Sequence, residues 1–306
     1  MFTCKVTSEN KIEASVEYAV TTEEQYVDHT KNILSADSKF GRMLYDLVNS
    51  NILTFRWKSR SYTISEIKRY RSCKEMIRYN SEDGKQISKV IESNKVKYLV
   101  HFTRIENLSS ILERGVLSIK ELNLRGLEYF NNDYGRNDGR TECSCFSVEF
   151  PNISLFNAFN RKQIDSSWIV LLIDVEVLLL QESEKYFCVH NAASRGIREQ
   201  MKYKQLRTAQ DFYNMFSEHV EFSKRNGDYY INRTIDKSYL TTSGQAEILI
   251  EGVVDREFIK GIMTRRETDK LIVDSLLNQY NLKDYIESVL EPRYFIERSK
   301  VKFKER

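Results

Sequence analysis

The sequence predicts an α+β fold, a strand-rich core with flanking helices preceded by a smaller α+β extension. Three observations point there. The apolar runs CSCFSVEF, SWIVLLIDV and QAEILIEGVV have the length and composition of strands. Around them lie stretches with apolar residues three or four apart, able to cover a sheet as helices. At 306 residues, 41% apolar and 30% charged with 11 Gly and 2 Pro, the chain has a folded protein's composition and room for one full core plus a smaller unit.

In the first half the elements are short. Lys11 to Val20 reads as a strand, and Glu23 to Leu34 and Phe40 to Val48 read as helices. Ile52 to Trp57 reads as a strand on which Arg56 faces away from Phe55 and Trp57. Thr63-Ile64-Ser65-Glu66 matches a capping box and predicts a helix. Its core face takes Ile64, Ile67, Tyr70 and Ile77, and Lys68, Arg71, Lys74 and Arg78 make a cationic face.

Net charge is +3, unevenly spread. Residues 1–50 carry five Lys/Arg and eight Asp/Glu, net −3; residues 51–80 carry eight Lys/Arg and two Asp/Glu, net +6. From Arg56 to Tyr79 the basic residues are interleaved with Trp57, Tyr62, Tyr70 and Tyr79, a mixture that binds phosphates and stacks the bases of single strands. It reads equally as a solvated helix face with core aromatics. On this division residues 1–95 form the extension, for nucleic acid or a partner, and 96–306 the main domain.

The main domain opens with KYLVHFTR, a strand carrying His101 and Thr103. NLSSILERG follows as a helix with Asn107 as N-cap, a stripe of Leu108, Ile111 and Leu112, and Gly115 as its left-handed end. After the polar segment EYFNNDYGRNDGRTE come the three strands, the middle one fully buried by composition, with VHNAAS between the last two. Ala209 to Phe216, with Phe212 and Phe216, and Glu267 to Tyr280, with Leu271, Ile272, Leu276 and Leu277, are helices that can cover such a sheet. In LTTSGQAEILIEG, alternation sets Ala246, Ile248 and Ile250 on one face and Glu247, Leu249 and Glu251 on the other, so Glu247 is expected to oppose the core.

Several function classes lack their signals. No apolar run approaches the ~18 residues of a membrane span, and MFTCKVTSEN has no signal-peptide pattern, so the expectation is a cytoplasmic protein without a membrane partner. Five Cys without a C-x-x-C pair, and His29, His101, His190 and His219 without metal spacing, predict free thiols and no metal. Also missing are a G-x-S-x-G elbow, a P-loop and a G-x-G-x-x-G turn. A glycosidase pair of Glu247 with Glu251 or Asp174 is readable, but two acids are easily found among 44. Alone, Glu247 also reads as an exposed strand-edge acid.

Taken in order, HFTRIENLSSILERGVLS, NNDYGRNDGR, CSCFSVEFPN, VHNAAS and GQAEILI resemble the DarT family of DNA ADP-ribosyltransferases over about residues 97 to 265. The resemblance implies the split, strand-rich ADP-ribosyltransferase fold, NAD as co-substrate and transfer of ADP-ribose to a nucleobase. Breaking the nicotinamide–ribose bond builds positive charge at the anomeric carbon, which asks for a carboxylate. Glu247 matches the family's glutamate and is the implied acid/base residue, with Gln245 orienting base or ribose.

His101 and Thr103 match the family's H-x-T strand and are implied for NAD, with Asn107 placing a helix N-terminus nearby for phosphate. Phe102 and Phe146 stack nicotinamide or pack the core. Val148, Glu149 and Phe150 stand where the better-known branch has an arginine; Arg136 resembles the arginine of a second branch, with Arg140 next, and both also read as loop charges. Asn191 and Ser194 are read as organisers of their loop. The family further implies a toxin or phage-defence effector restrained by an antitoxin or ADP-ribosyl hydrolase. Single-stranded DNA is the favoured substrate. The same chemistry on RNA, or a non-catalytic nucleic-acid-binding module, stands as the alternative.

Overall fold

The computed structural model describes residues 1–8, 15–22, 27, 32–57, 60–69, 81–131, 135–161, 166–180, 183–224 and 227–304. The chain divides into two compact units, Met1–Ser81 and Glu82–Arg306.

In the first unit β1 (Phe2–Ser8), β2 (Ser15–Thr21), β3 (Ile33–Ser35), β4 (Thr54–Trp57) and β5 (Arg60–Arg69) form one sheet in the order β3-β2-β1-β5-β4. The helix α1 (Lys39–Asn49) starts at Ser38, whose hydroxyl accepts the Gly41 N–H. Its Leu44 and Val48 join Phe2, Cys4, Val6, Val20 and Ile64 in a core. Phe40 to Val48 is thus helical as read, whereas Leu34, read as helical, lies on β3.

The helix expected from Thr63 is corrected: residues 60–69 are the strand β5, with Thr63, Ser65 and Glu66 exposed. Lys5 pairs with Ser65 but Thr3 with Lys68, a register shift at which Glu66 takes φ 51°. This bulge moves the inward phase by one residue, so Ile64 and Ile67, three apart, both reach the core and mimic helical spacing. Arg56 is exposed, and Phe55, on the other face of its strand, stacks on Tyr62 at 5.3 Å. Lys68 lies on β5; Arg71, Lys74 and Arg78 lie outside the described residues.

In the second unit the strands are β6 (Tyr98–Arg104), β7 (Val116–Leu117), β8 (Cys143–Val148), β9 (Trp168–Asp174), β10 (Lys185–Cys188) and β11 (His219–Lys224). They continue as β12 (Gly227–Asn232), β13 (Glu247–Glu251), β14 (Val253–Val254), β15 (Ile259–Thr264) and β16 (Glu287–Leu290). The helices are α2 (Glu82–Asn94), α3 (Leu108–Arg114), α4 (Ile119–Leu124), α5 (Ile153–Asn160), α6 (Val177–Leu180), α7 (Arg195–Lys204), α8 (Ala209–Asn214) and α9 (Glu267–Gln279). Seven strands make a mixed sheet in the order β10-β13-β8-β6-β9-β15-β16, and β11–β12 and β7–β14 make two small ones. The α+β expectation holds.

The sheet splits in its middle. β6 and β8 share only the pairs Leu99–Val148 and Val100–Ser147, after which the His101 ring, rather than a backbone group, meets the Cys145 carbonyl. β6 stays paired with β9 from Tyr98–Asp174 to Arg104–Trp168, so the parting falls on the β8 side and opens a cleft there. β9 is buried from Trp168 to Ile173, as its composition predicts. α9 differs from its expected face: it buries Asp269, Val273 and Leu277, while Leu271 and Ile272 are 61% and 47% exposed. Asp269 turns inward because it accepts the Ser167 hydroxyl and pairs with Arg266.

Candidate active site

Glu247 is 5% exposed, which corrects the expectation that it opposes the core. β13 is an interior strand between β10 and β8, and its second face is covered as well: Leu249 packs with Ile197 and Met201 of α7. Residues 247–250 are therefore buried on both faces. Alternation along the strand is real, but it does not separate core from water.

A buried carboxylate needs partners, and Glu247 has three donors. Oε1 accepts from Asn152 Nδ2 and Asn191 Nδ2, each at 3.1 Å, and Oε2 accepts the Ala192 N–H at 2.9 Å. Burial is the strongest influence and pushes the carboxyl up to about 7. The Ala192 and Asn152 bonds oppose burial, the Asp138 charge adds to it, and the Arg136 charge opposes it. Oε1 carries two bonds and Oε2 one, so Oε2 keeps a lone pair for a substrate hydroxyl.

Asn152 and the Glu247-bonding role of Asn191 were missed in the sequence. Asn152 heads α5, its Oδ1 accepting the Leu155 N–H at 3.1 Å, which Asn before an apolar helical run signals. Its second bond, across 95 positions, has no local signal. The loop of Asn191 also reaches the segment leading into β13: His190 Nδ1 lies 2.8 Å from Ser243 Oγ, which accepts the Gln245 N–H.

His101 Nδ1 lies 2.8 Å from the Cys145 carbonyl. A carbonyl only accepts, so Nδ1 carries the proton and Nε2 of the neutral ring is an acceptor. Burial holds His101 below the usual histidine range, with the Arg136 charge acting the same way and the Cys145 bond opposing. Its ring rests on Phe146 at 5.4 Å. Phe102 packs edge-on against Phe156 at 5.7 Å and Trp168 at 6.0 Å, and so belongs largely to the core.

Asn107 does not cap with its side chain, because a 3-10 turn from Ile105 already places residue 107 in helical conformation. The amide spans two segments instead. Nδ2 donates to Thr103 Oγ1 and to the Phe130 carbonyl, each at 3.0 Å, and Oδ1 accepts the Phe130 N–H at 2.8 Å. Arg136 pairs through two nitrogens with Asp138, at 3.0 and 2.7 Å, and donates to the Cys143 carbonyl at 2.8 Å, bracing its own loop at φ 32°. Arg140 lies over the Tyr186 ring at 4.5 Å.

The fold gathers His101, Phe102, Thr103, Asn107, Arg136, Phe146 and Glu247 along one cleft, with Asn152. Gln245 is placed apart, on a separate groove with Ser243 and Gly244. Among the described residues, no group of three His, Cys, Asp or Glu is arranged to hold a metal, and Cys4, Cys143, Cys145 and Cys188 are not joined in disulfides. No helix of the described residues is long and apolar enough to cross a membrane.

Residues 100–296 match the protein-family model described as DarT, ssDNA thymidine ADP-ribosyltransferase. Comparison with curated proteins gives no match. Among solved structures, Thermus sp. 2.9 DarT in complex with ADP-ribosylated ssDNA is similar at 12% identity and TM-score 0.44, over 66% of this chain and 97% of that one. The same Thermus protein in complex with NAD+ gives 12% identity and TM-score 0.42, over 65% and 97%. Thermosipho africanus DarTG in complex with ADP-ribose gives 16% identity and TM-score 0.40, over 65% of this chain; the match spans 51% of that chain.

Proposed function

The chain belongs to the DarT family of ssDNA thymidine ADP-ribosyltransferases, NAD-dependent enzymes acting on DNA, and we propose that it works through Glu247 in the cleft between β6 and β8. The observation that carries this reading is a buried carboxyl held by three donors, with a free lone pair and a pKa of about 7.

NAD is the co-substrate, and the residues present fit it. A neutral His101 presents one acceptor nitrogen, Thr103 and Asn107 add polar groups, and Phe130 gives an exposed ring beside them. Bound there, NAD supplies an activated ribose whose anomeric carbon loses neutral nicotinamide. Ionised Glu247 stabilises the positive charge developing at that carbon and binds a ribose hydroxyl through Oε2. As the new bond to the thymine nitrogen forms, the base N–H proton passes to Glu247, whose value near neutrality suits a general base. Arg136 sets the field on Glu247 and His101 from its bracing position and takes the pyrophosphate role only by exchanging bonds.

Gln245, on the neighbouring groove, orients the incoming base. Residues 1–95 serve as a second nucleic-acid surface, supported by the +6 of residues 51–80 and by exposed Arg56. A cytoplasmic setting, where NAD and DNA meet, and a restraining antitoxin or ADP-ribosyl hydrolase complete the reading of a toxin or defence effector.

The test is mass spectrometry of mixed single-stranded DNA and RNA oligonucleotides after incubation with NAD, native protein beside Glu247→Gln. The expected result is an ADP-ribose adduct on thymidine-containing DNA that the variant does not form. An adduct on RNA alone replaces the substrate, and intact NAD with no adduct leaves a binding module.

A further inference from the structure

α5 divides two openings. Leu155 and Phe159 line the cleft of Glu247, while Ser154 and Asn157 line a separate groove walled by residues 242–245 and by the C-terminal residues 297–299. The family match ends at residue 296, so that last wall lies beyond the matched stretch. It is well anchored: the Tyr239 hydroxyl donates to the Lys304 carbonyl at 2.6 Å, and Phe303 packs edge-on against Phe150 at 5.4 Å.

Two guanidinium groups converge beside this groove. Arg298 Nη2 donates to the Thr241 carbonyl at 2.7 Å, and its central carbon lies 3.8 Å from where a Cβ on Gly244 would stand. Arg233 donates from Nη1 to Thr242 Oγ1 at 3.1 Å and to the Phe216 carbonyl, and from Nη2 to the Lys237 carbonyl at 2.8 Å. All these acceptors are neutral. Both arginines are half-buried, and among the described residues neither is ion-paired, although the Glu218 charge reaches Arg233. The carboxylates along the groove are engaged elsewhere, Glu297 with Lys300 at 3.0 Å and Asp236 with Lys237 at 3.7 Å. Burial, and then the Arg233 charge, push Arg298 down to about 10. Two half-buried like charges that meet only neutral acceptors among the described residues, beside an open groove, favour a negatively charged group there.

We propose that the groove carries the backbone of the substrate strand and that Arg298 binds a phosphodiester beside the nucleotide presented to Glu247. The proposal rests on the reading of the chain as a transferase for single-stranded DNA. Gln245, in the groove wall, is two residues from Glu247, at most ~7 Å along the chain, so a base can enter the cleft while its backbone stays in the groove. The other phosphate on offer, the pyrophosphate of NAD, belongs to the cleft on the far side of α5.

The test is fluorescence anisotropy of a labelled thymidine-containing single-stranded oligonucleotide over a salt series, together with NAD affinity, on the full chain. Native protein is compared with Arg298→Ala and with Ser299→Glu, which adds a carboxylate at an exposed groove position and leaves the Thr241 bond in place. Expected are oligonucleotide Kd values raised about tenfold and several-fold respectively, NAD affinity retained, and a log–log salt slope shallower by about 0.7 for Arg298→Ala. Unchanged oligonucleotide affinity in both variants overturns the proposal. So does a loss of NAD affinity in Arg298→Ala, which assigns the arginine to the pyrophosphate. Binding is read without turnover, so a native protein that binds the strand but forms no adduct refutes the transferase reading and leaves the groove standing.

Discussion

Asn152 joins a helix end to a carboxyl: its Oδ1 accepts the Leu155 N–H and its Nδ2 donates to Glu247 Oε1, both at 3.1 Å. The two bonds separate by substitution. Asn152→Ala removes both and is expected to cost about 1–3 kcal/mol in denaturant unfolding. Asn152→Asp keeps the cap acceptor but sets a second carboxylate against Glu247. Its unfolding midpoint should fall at neutral pH, because two buried carboxylates then face each other, and the acid limb of its pH–rate profile should move to higher pH. An unmoved limb refutes the contact.

Glu247 sets two pH dependences. On the proposed mechanism ionised Glu247 is the working form, so kcat is expected to rise with pH through an apparent pKa of about 7. Stability runs the other way. The folded-state value lies above the ordinary 4.5, so its contribution is fully present below 4.5 and is lost as pH rises through about 7. At most about 3 kcal/mol is at stake. Denaturant unfolding between pH 5 and 8 should show this decline in the native protein and a flatter line in Glu247→Gln; parallel lines exclude it.

Burial holds His101 below the ordinary histidine range, which favours its neutral ring. His101→Ala is expected to raise the KM for NAD about tenfold while leaving the acid limb near 7. A limb that vanishes with His101 instead makes histidine the titrating group, which pH–rate profiles of the two proteins decide.

Asn107 holds the Phe130 backbone at both its N–H and its carbonyl. Asn107→Ala should speed hydrogen exchange at the Phe130 amide by at least tenfold, about 1.4 kcal/mol of local opening, and raise the KM for NAD. Unchanged exchange would show that the segment is held by other contacts.

Charge neutralisation tests the N-terminal unit. Replacing Arg56, Lys68, Arg71, Lys74 and Arg78 together should flatten the salt dependence of single-strand binding. Retained salt dependence removes that role and leaves partner docking.

The main-domain strands were legible because each is an apolar run bounded by polar turns, and β9, buried along its apolar length, is the clearest case. The cleft residues were legible only through ordered resemblance: His101, Thr103 and Glu247 are ordinary in spacing and are brought together by a split in the sheet. β5 misled because a bulge at Glu66 puts two inward residues three apart, which is helical spacing. Glu247 misled because alternation tells which residues share a face and not what covers it. The Asn152–Glu247 bond spans 95 positions, and no local pattern encodes it.

The position of α5 has a kinetic consequence. With the donor lodged against Leu155 and Phe159 and the acceptor strand against Ser154 and Asn157, neither occupant obstructs the other's entry. On the proposed placement either is expected to bind first, with both present when the bond changes hands. Initial rates at varied NAD and varied oligonucleotide should therefore give intersecting double-reciprocal lines, the pattern of a ternary complex assembled in random order.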